Sequence, residues 1–218
     1  MKRNLIFLFF LTLTLVTAQK NIYESPRFNE LSKHHKELAI LPFFTHLQLE
    51  NTISAKEKKK LEEKEGYAIQ DAFELYFSKR MKKKKLSVAF QNSKNTNAIL
   101  AKNNITYENI DIYSIKELCE ILEVDGIISG NTDLNILLSK GIPDDFSFID
   151  YLIGNADFGR IGIKISDGKT GKLLWRYEKK INKKSGKNTT DLIDRMMKLA
   201  TRKFPYEKER KKNKKNKN

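Results

Sequence analysis

Two short motifs contain residue types found in catalytic loops, but each lacks the context that the chemistry requires. Ser129 is followed by Gly130, and Gly126 lies three residues before it. A nucleophile elbow needs Gly-x-Ser-x-Gly at a strand-to-helix turn, so this spacing does not fit. The glycines at 168 and 171 could cradle a phosphate only at the start of a helix. Strands are predicted on both sides of them, so residues 167–171 are interpreted as a hairpin turn.

Carboxylates and histidines provide two further candidates. Asp144, Asp145 and Asp150 could supply paired acid–base groups, but they lie in a turn-like segment with no partner base, and we interpret them as turn formers. His34 and His35 could bind a metal ion. Adjacent side chains on an extended chain point apart, so this pair is interpreted as exposed residues of a linker.

The remaining candidates are better explained by packing. Cys119 lies on the apolar face of a predicted helix, where a lone cysteine behaves as a small hydrophobe, and it has no partner for an internal disulfide. Trp175 is interpreted as a core or hairpin aromatic. One cysteine and three histidines without ligand spacing exclude a zinc cluster. The sequence therefore predicts no catalytic, cofactor-binding or metal-binding residue, no cofactor and no enzymatic activity.

The elements that would position these residues alternate between strands and helices. The apolar run at 37–41 predicts a buried strand, and Pro42 limits it before an exit loop or an edge extension through Leu49. Ser54 begins a long helix that ends in the lysine run at 82–85. The next predicted elements are a strand at 86–90, a helix at 96–102, a helix capped by Ser114 and Glu117, and a strand at 126–130.

The C-terminal third carries the clearest strand signal. Alternating residues at 158–165 and 173–177 flank the turn and predict a β-hairpin. Thr189 or Thr190 is predicted to cap a last helix. Residues 131–156 fit either a short helix or an excursion between strands. The predicted fold class is α/β, a mixed β-sheet with helices packed on it, including a C-terminal hairpin and helix.

The N-terminus has the three parts of a secretory signal. Lys2 and Arg3 precede an apolar run, and Val-Thr-Ala at 16–18 places small residues at a peptidase site. The run is too short for a span of about 20 residues, and no cysteine lies at the site to carry a lipid. We expect export to the periplasm or the medium after cleavage near Ala18. The predicted organisation is a signal peptide at 1–18, a linker at 19–36, one domain at 37–205 and a basic disordered tail at 206–218.

The formal net charge of +15 is concentrated in short runs. Residues 207–218 hold seven basic and two acidic residues, and a second basic run lies at 79–85. Such runs can bind nucleic acid or anionic membrane, or can simply be solvated. Export argues against nucleic acid as the ligand. We expect at most a weak contact of the tail with an anionic membrane or polymer surface.

Three motifs occur in an order that resembles a known group. They are Ala-Ile-Leu-Pro-Phe at 39–43, the segment from Leu118 to Gly130, and Asp-Gly-Lys-Thr-Gly-Lys-Leu-Leu-Trp at 167–175. The group comprises envelope α/β domains such as the N-terminal domain of TolB, the curli-secretion lipoprotein CsgG and periplasmic lipoproteins. The resemblance spans roughly 37–200 and implies a non-enzymatic role through protein contacts in the envelope. The chain lacks the lipid-carrying cysteine and the propeller of those relatives.

Three functions are compatible with these observations. The first is an exported interaction module that contacts unidentified envelope proteins through a sheet edge or through residues 131–156. The second is a subunit of an oligomeric export or surface assembly similar to CsgG. The third is a hydrolase acting on an envelope polymer through Asp144, Asp145 or Asp150. The sequence favours the first and leaves the partner and the oligomeric state open.

Overall fold

A computed structural model of the chain describes residues 22–48, 53–135, 159–181, 188–200 and 204–206. In chain order the elements are β1 (Ile22–Glu24), α1 (Phe28–Ser32), β2 (Glu37–Ile40), β3 (Phe44–Leu47), α2 (Ala55–Lys82), β4 (Ala89–Phe90), α3 (Ser93–Lys102), a 3-10 helix (Ile110–Ile112), α4 (Ile115–Leu122), β5 (Gly126–Leu134), β6 (Gly159–Asp167), β7 (Leu173–Ile181) and α5 (Thr189–Ala200). The described strands form one mixed seven-stranded sheet with helices packed against it. The predicted α/β class is confirmed.

The sheet has the order β1-β7-β6-β5-β2-β4, and β3 pairs with β5 beyond the end of β2. β2 runs parallel to β4 and β5, while β1, β5, β6 and β7 pair in antiparallel fashion. The predicted hairpin is confirmed as β6 and β7. A register shift between Ile165 and Ser166 buries Leu174 together with Trp175, so the strict alternation predicted there is wrong at Leu174.

Pro42 divides one strand path into β2 and β3. A proline has no N–H for the ladder, and the chain leaves the sheet at Pro42 before it rejoins β5. The predicted extension beyond the proline is confirmed as β3. The side chain of Phe43 packs on Gly130, where an added Cβ would lie 2.2 Å from the Phe43 ring. Glycine is therefore required at 130.

Capping residues begin the helices, and two of the three caps expected from the sequence are correct. Ser54 and Ser114 each form a reciprocal capping box with the glutamate three residues later, and α2 ends at Lys82 in the lysine run. At α5 the prediction is wrong. The side chain of Asn188 accepts a hydrogen bond from the Asp191 N–H at 2.9 Å, so Asn188 is the cap rather than Thr189 or Thr190.

Three further predicted boundaries differ from the structure. α3 begins at Ser93, three residues early, because the side chain of Asn92 caps it. The predicted strand at 86–90 is reduced to Ala89–Phe90, since the Ser87 N–H donates to the Tyr206 carbonyl instead of to a neighbouring strand. β5 continues past residue 130 to Leu134, where β3 pairs with it.

The two faces of the sheet are covered unequally. α2 and α5 pack on one face over a core rich in aromatic side chains, among them Phe73, Phe77 and Trp175. α3 and α4 pack on the other face, where Cys119 joins the buried residues of β2 and β5. The burial of Trp175 and Cys119 confirms their interpretation as core residues. Within the described part of the chain, the second helical layer leaves the outward side chains of Arg160, Lys164, Arg176 and Lys180 exposed on that face.

The N-terminal segment contains more structure than its composition indicated. β1 pairs with β7, and α1 buries Phe28 against the main core. The segment predicted as a linker at 19–36 therefore contains a strand and a helix, because pairing with β7 and packing of one aromatic ring outweigh a polar composition. The domain boundaries stay predictions, and the signal peptide lies outside the described residues. No helix among the described residues is long and apolar enough to cross a membrane.

Candidate functional site

A buried polar cluster joins three distant parts of the chain. His35 lies between α1 and β2, Asp167 ends β6, and Tyr206 lies beyond α5. The His35 ring nitrogens lie 2.9 Å from an Asp167 carboxylate oxygen (Nε2) and 2.6 Å from the Tyr206 hydroxyl (Nδ1). The His35 and Asp167 side chains are only 4% and 3% exposed. We call these three residues the clamp.

Hydrogen bonds keep the clamp carboxylate ionised. Burial alone would raise the pKa of Asp167, but hydrogen bonds from the Thr170 hydroxyl, the His35 ring and the Thr170 N–H outweigh it and lower the pKa. Since Asp167 is ionised, His35 Nε2 donates to it, and in the neutral ring Nδ1 accepts the Tyr206 hydroxyl proton. Burial, together with the charges of Asp167 and Asp125, raises the pKa of Tyr206, which stays protonated.

The clamp is arranged for stability rather than for acid–base chemistry. Both nitrogens of His35 are bonded inside the chain, so the ring has no free atom to take a proton from a ligand. The neighbouring Cys119 is no better as a nucleophile, because burial, with help from Asp167, raises the pKa of its thiol to about 12. A cleft of about 620 Å³ does border His35, Asp167 and Cys119, and its other polar residues are His34, Lys116, Glu120, Glu123, Asp125 and Lys169.

The sequence interpretation of the histidine pair is wrong for one of its members. His34 is exposed as predicted, whereas His35 is buried and bonded on both sides. Tyr206, assigned to the disordered tail, is 4% exposed and stacks beside His35. The Asp-x-x-Thr spacing at 167–170 was the only local signal of a buried carboxylate. The contact between residues 35 and 206 has no local signal at all.

The uncovered face of the hairpin carries the second cluster of polar groups. Arg160 and Lys164 on β6 lie directly opposite Lys180 and Arg176 on β7, and all four are exposed. We call this surface the basic face. Its carboxylates are Glu178, which lies 3.4 Å from the Arg176 guanidinium, and Asp133 on β5, opposite Arg160. Tyr23 of β1 borders the face, opposite Arg176, and is 43% exposed.

Like charges therefore face one another twice across the same pair of strands. Side chains directly opposite in a sheet have Cβ atoms about 5 Å apart, and equal charges at that spacing destabilise the pair. Among the described residues, the side chains of Lys164 and Arg160 have no ion pair or hydrogen bond that would offset this cost. Glu178 offsets part of this cost at Arg176, so the repulsion falls mainly on Lys164.

A groove runs along the step between the basic face and the helices that cover the rest of the sheet. Its volume is about 230 Å³, and its polar lining residues are Lys164, Ser129, Asn131 and Asp111. The apolar wall consists of Leu41, Pro42, Phe44, Ile110, Tyr113, Ile115 and Leu118. Phe44 is 39% exposed, and Ile112, in the same 3-10 helix as Ile110, is 76% exposed. We call this feature the apolar groove.

The exposed edge of β3 is already occupied by side chains. The Thr45 N–H donates to the Tyr107 hydroxyl at 2.8 Å, and the Leu47 N–H donates to a Glu62 carboxylate oxygen at 2.9 Å. An edge whose donors are satisfied in this way does not invite another strand. This edge is therefore a poor candidate for the predicted sheet-edge contact.

The other sequence candidates fall into two groups. Ser129 lies in β5, as predicted, and lines the groove, while residues 168–170 form the turn predicted between two strands. Asp144, Asp145 and Asp150 lie outside the described residues. Within the described part of the chain, no three His, Cys, Asp or Glu side chains are placed to hold a metal ion. The absence of catalytic and cofactor-binding residues stays a prediction.

Comparison with known proteins gives structural neighbours only. No family model matches the sequence, and no curated protein matches it. The lipoprotein GNA1162 from Neisseria meningitidis is 9% identical, with 76% of this chain and 94% of that chain covered, at a TM-score of 0.39. The LpoB C-terminal domains from Salmonella enterica and Escherichia coli are 5% and 6% identical, with 72% of this chain and 94% and 95% of theirs covered, at TM-scores of 0.35 and 0.33. The resemblance to the TolB and CsgG group stays a prediction.

Proposed function

We propose that this chain is a non-catalytic exported envelope protein that acts as a protein-interaction module. The observation that carries the proposal is the basic face beside the apolar groove. Monomeric proteins rarely keep like charges opposite each other without compensation, and residues that lower the stability of a fold are often retained for function. A partner that covers this face would add negative charge beside Lys164 and Arg160, which have no ion pair among the described residues.

The clamp supports a binding role rather than a catalytic one. It brings together a histidine, a carboxylate and a hydroxyl, and each of them is used within the chain. Such a site holds the hairpin, the N-terminal segment and the C-terminal segment in fixed positions. The hairpin therefore presents its outward side chains on a rigid support, which lowers the entropy lost on binding.

Export is the second part of the proposal and has its own test. We infer that the leader at 1–18 is removed, so that the mature chain begins at Gln19 in the periplasm or the medium. Mass spectrometry of the N-terminal peptide from the organism that makes the protein should find Gln19 as the first residue. An N-terminus that retains Met1 would contradict this part of the proposal and leave the interaction role untouched.

The interaction role can be tested by crosslinking from a defined surface. A photoreactive phenylalanine analogue in place of Tyr23 reports on the basic face, and the same analogue in place of Leu75 is the control. Leu75 is 44% exposed on α2, which packs on the other face of the sheet. In cells of the native organism, position 23 should give a discrete crosslink to another protein that position 75 does not give.

Other results of the crosslinking experiment, or an enzymatic activity, would change the proposal. Equal crosslinking from both positions, or none from position 23, would contradict the proposed interaction surface. A crosslink to a second copy of the chain would instead favour the oligomeric assembly that the sequence left open. Turnover of an envelope polymer by the purified chain would overturn the non-catalytic assignment.

A further inference from the structure

We propose that the partner is an acidic protein segment that pairs its carboxylates with the basic face and places one apolar side chain in the apolar groove. This inference rests on the proposed interaction role and specifies the chemistry of the partner. Two independent features carry it. One is the charge pattern of the hairpin, and the other is the continuity between that pattern and the groove.

The charge pattern requires negative groups at defined places. Lys164 and Arg176 form one cationic pair, and Arg160 lies four residues from Lys164 on the same strand, opposite Lys180. Four residues of a strand span roughly 13 Å. Carboxylates with a similar separation would each meet one cationic pair and remove one like-charge repulsion, and the attraction would also speed association.

The groove is part of the same surface because one residue belongs to both. Lys164 lines the groove and stands in the first cationic pair. Its aliphatic stem can contact an apolar side chain in the groove while its ammonium group reaches a carboxylate. Phe44 lines the groove, and Ile112 lies in sequence between the lining residues Asp111 and Tyr113. Both Phe44 and Ile112 are exposed, although each would gain by burial. An apolar residue next to an acidic one in the partner would satisfy both sets of groups.

The same surface is poorly matched to a uniformly anionic ligand. Glu178 lies between the two cationic pairs, opposite Gly162, and Asp133 lies opposite Arg160. A nucleic acid or an anionic membrane would place negative charge against these carboxylates as well as against the cations. A protein segment can alternate acidic and other side chains, so it can pair with the cations and avoid the carboxylates.

The test uses peptide selection on the full exported chain. A display library of random 12-residue segments is selected against the wild-type protein, and the enriched peptides are measured by fluorescence anisotropy. We expect enrichment of Asp and Glu together with an apolar residue. Binding of these peptides should weaken when the salt concentration rises, because the charged pairs lie near the surface.

Charge reversal in the hairpin separates loss of binding from loss of folding. In Lys164→Glu the new carboxylate faces Arg176, so the hairpin gains an ion pair while the partner loses one. We expect this variant to stay folded and to bind the selected peptides about tenfold more weakly or worse. The control is Lys102→Glu on α3, which changes the net charge equally at an exposed position and should leave binding unchanged.

A matched pair of variants tests the apolar contact. Ile112→Ser should weaken the peptides with an apolar residue and leave purely acidic peptides unchanged. Leu75→Ser removes an exposed apolar side chain of α2 and should have no effect. Equal loss in both variants would contradict the groove assignment.

Three results would overturn the inference. Selected peptides without acidic enrichment would contradict the charge argument. Acidic peptides whose affinity survives Lys164→Glu would bind elsewhere, such as the basic tail. Phosphatidylglycerol vesicles that bind through Lys164 more strongly than any peptide would favour a membrane. If a Tyr23 crosslink still forms in cells under any of these outcomes, the interaction role stands and only the acidic partner is wrong. If that crosslink fails too, both are wrong.

Discussion

The hairpin contributes Asp167 to the clamp and four cations to the basic face, and polar groups have opposite environments in these two regions. In the clamp, His35, Asp167 and Tyr206 are buried, and each is bonded to another. On the basic face, Lys164 and Arg176 are exposed, directly opposite each other and equal in charge. The difference teaches that burial of polar groups here serves the fold, whereas exposed charge is available for a partner.

Substitutions in the two regions should therefore have different effects on stability and on binding. Changes in the clamp should lower the free energy of unfolding and alter binding only through the folded fraction. Changes on the basic face should alter binding while the fold keeps or gains stability. A variant that breaks this division, in either direction, would show that one of the two regions has been assigned the wrong role.

The largest expected effect is the loss of the clamp histidine. His35→Ala leaves a buried carboxylate and a buried phenol without their partner, which we expect to lower the free energy of unfolding by about 3 kcal/mol. Chemical denaturation measures this value. The control is His34→Ala, which removes the exposed neighbour and should change it by less than about 0.5 kcal/mol. Equal effects in the two variants would contradict the clamp.

Acid should weaken the clamp in a predictable pH range. The folded pKa of Asp167 is lowered, because the hydrogen bonds from Thr170 and His35 outweigh the effect of burial. Its contribution is therefore complete above the unfolded value of about 3.9 and is lost as the pH falls through the lower folded value. Denaturation curves between pH 6 and pH 2 should show a smaller acid-dependent loss in Asp167→Asn than in the wild type. Identical slopes would mean that this carboxylate is not stabilised in the fold.

On the basic face, in contrast to the clamp, a substitution should raise the free energy of unfolding. Lys164→Glu replaces a like-charge pair by an opposite-charge pair across β6 and β7, and we expect a gain of about 0.5 kcal/mol at low salt. Thermal unfolding at low and high salt measures the gain and its screening. A loss of stability would mean that Lys164 already has a counter-charge in the free chain.

The smallest expected effect on the free energy of unfolding is at Ile112, in the 3-10 helix that borders the groove. Ile112 is 76% exposed and contributes little burial, so Ile112→Ser should change the free energy of unfolding by less than about 0.5 kcal/mol. Chemical denaturation checks this value. A loss of more than about 1 kcal/mol would place Ile112 in the packing of the fold and remove it from the proposed partner surface.

Local signals allowed much of the fold to be predicted. The capping boxes at Ser54 and Ser114 involve residues three positions apart, and the hairpin follows from alternation on both sides of one turn. The clamp could not be predicted, because His35 and Tyr206 are 171 positions apart and meet only when the whole sheet has formed. A compact five-residue turn did not reveal that Asp167 would be buried.

The basic face was partly visible in the sequence. The alternation of β6 already placed Arg160 and Lys164 on one side of a strand. Two facts were missing, the register that sets them against Lys180 and Arg176 and the extent of the helical layer that leaves them uncovered. Both depend on tertiary packing, whereas the two basic runs are contiguous in the sequence and can be recognised without it.

The most direct measurement of the central claim is the crosslinking yield from position 23 in cells, compared between the wild type and Lys164→Glu. The account predicts that the discrete product falls to the level seen from position 75, while the variant protein accumulates normally and unfolds no earlier than the wild type. An unchanged yield from a folded Lys164→Glu protein would contradict the claim that the basic face binds the partner.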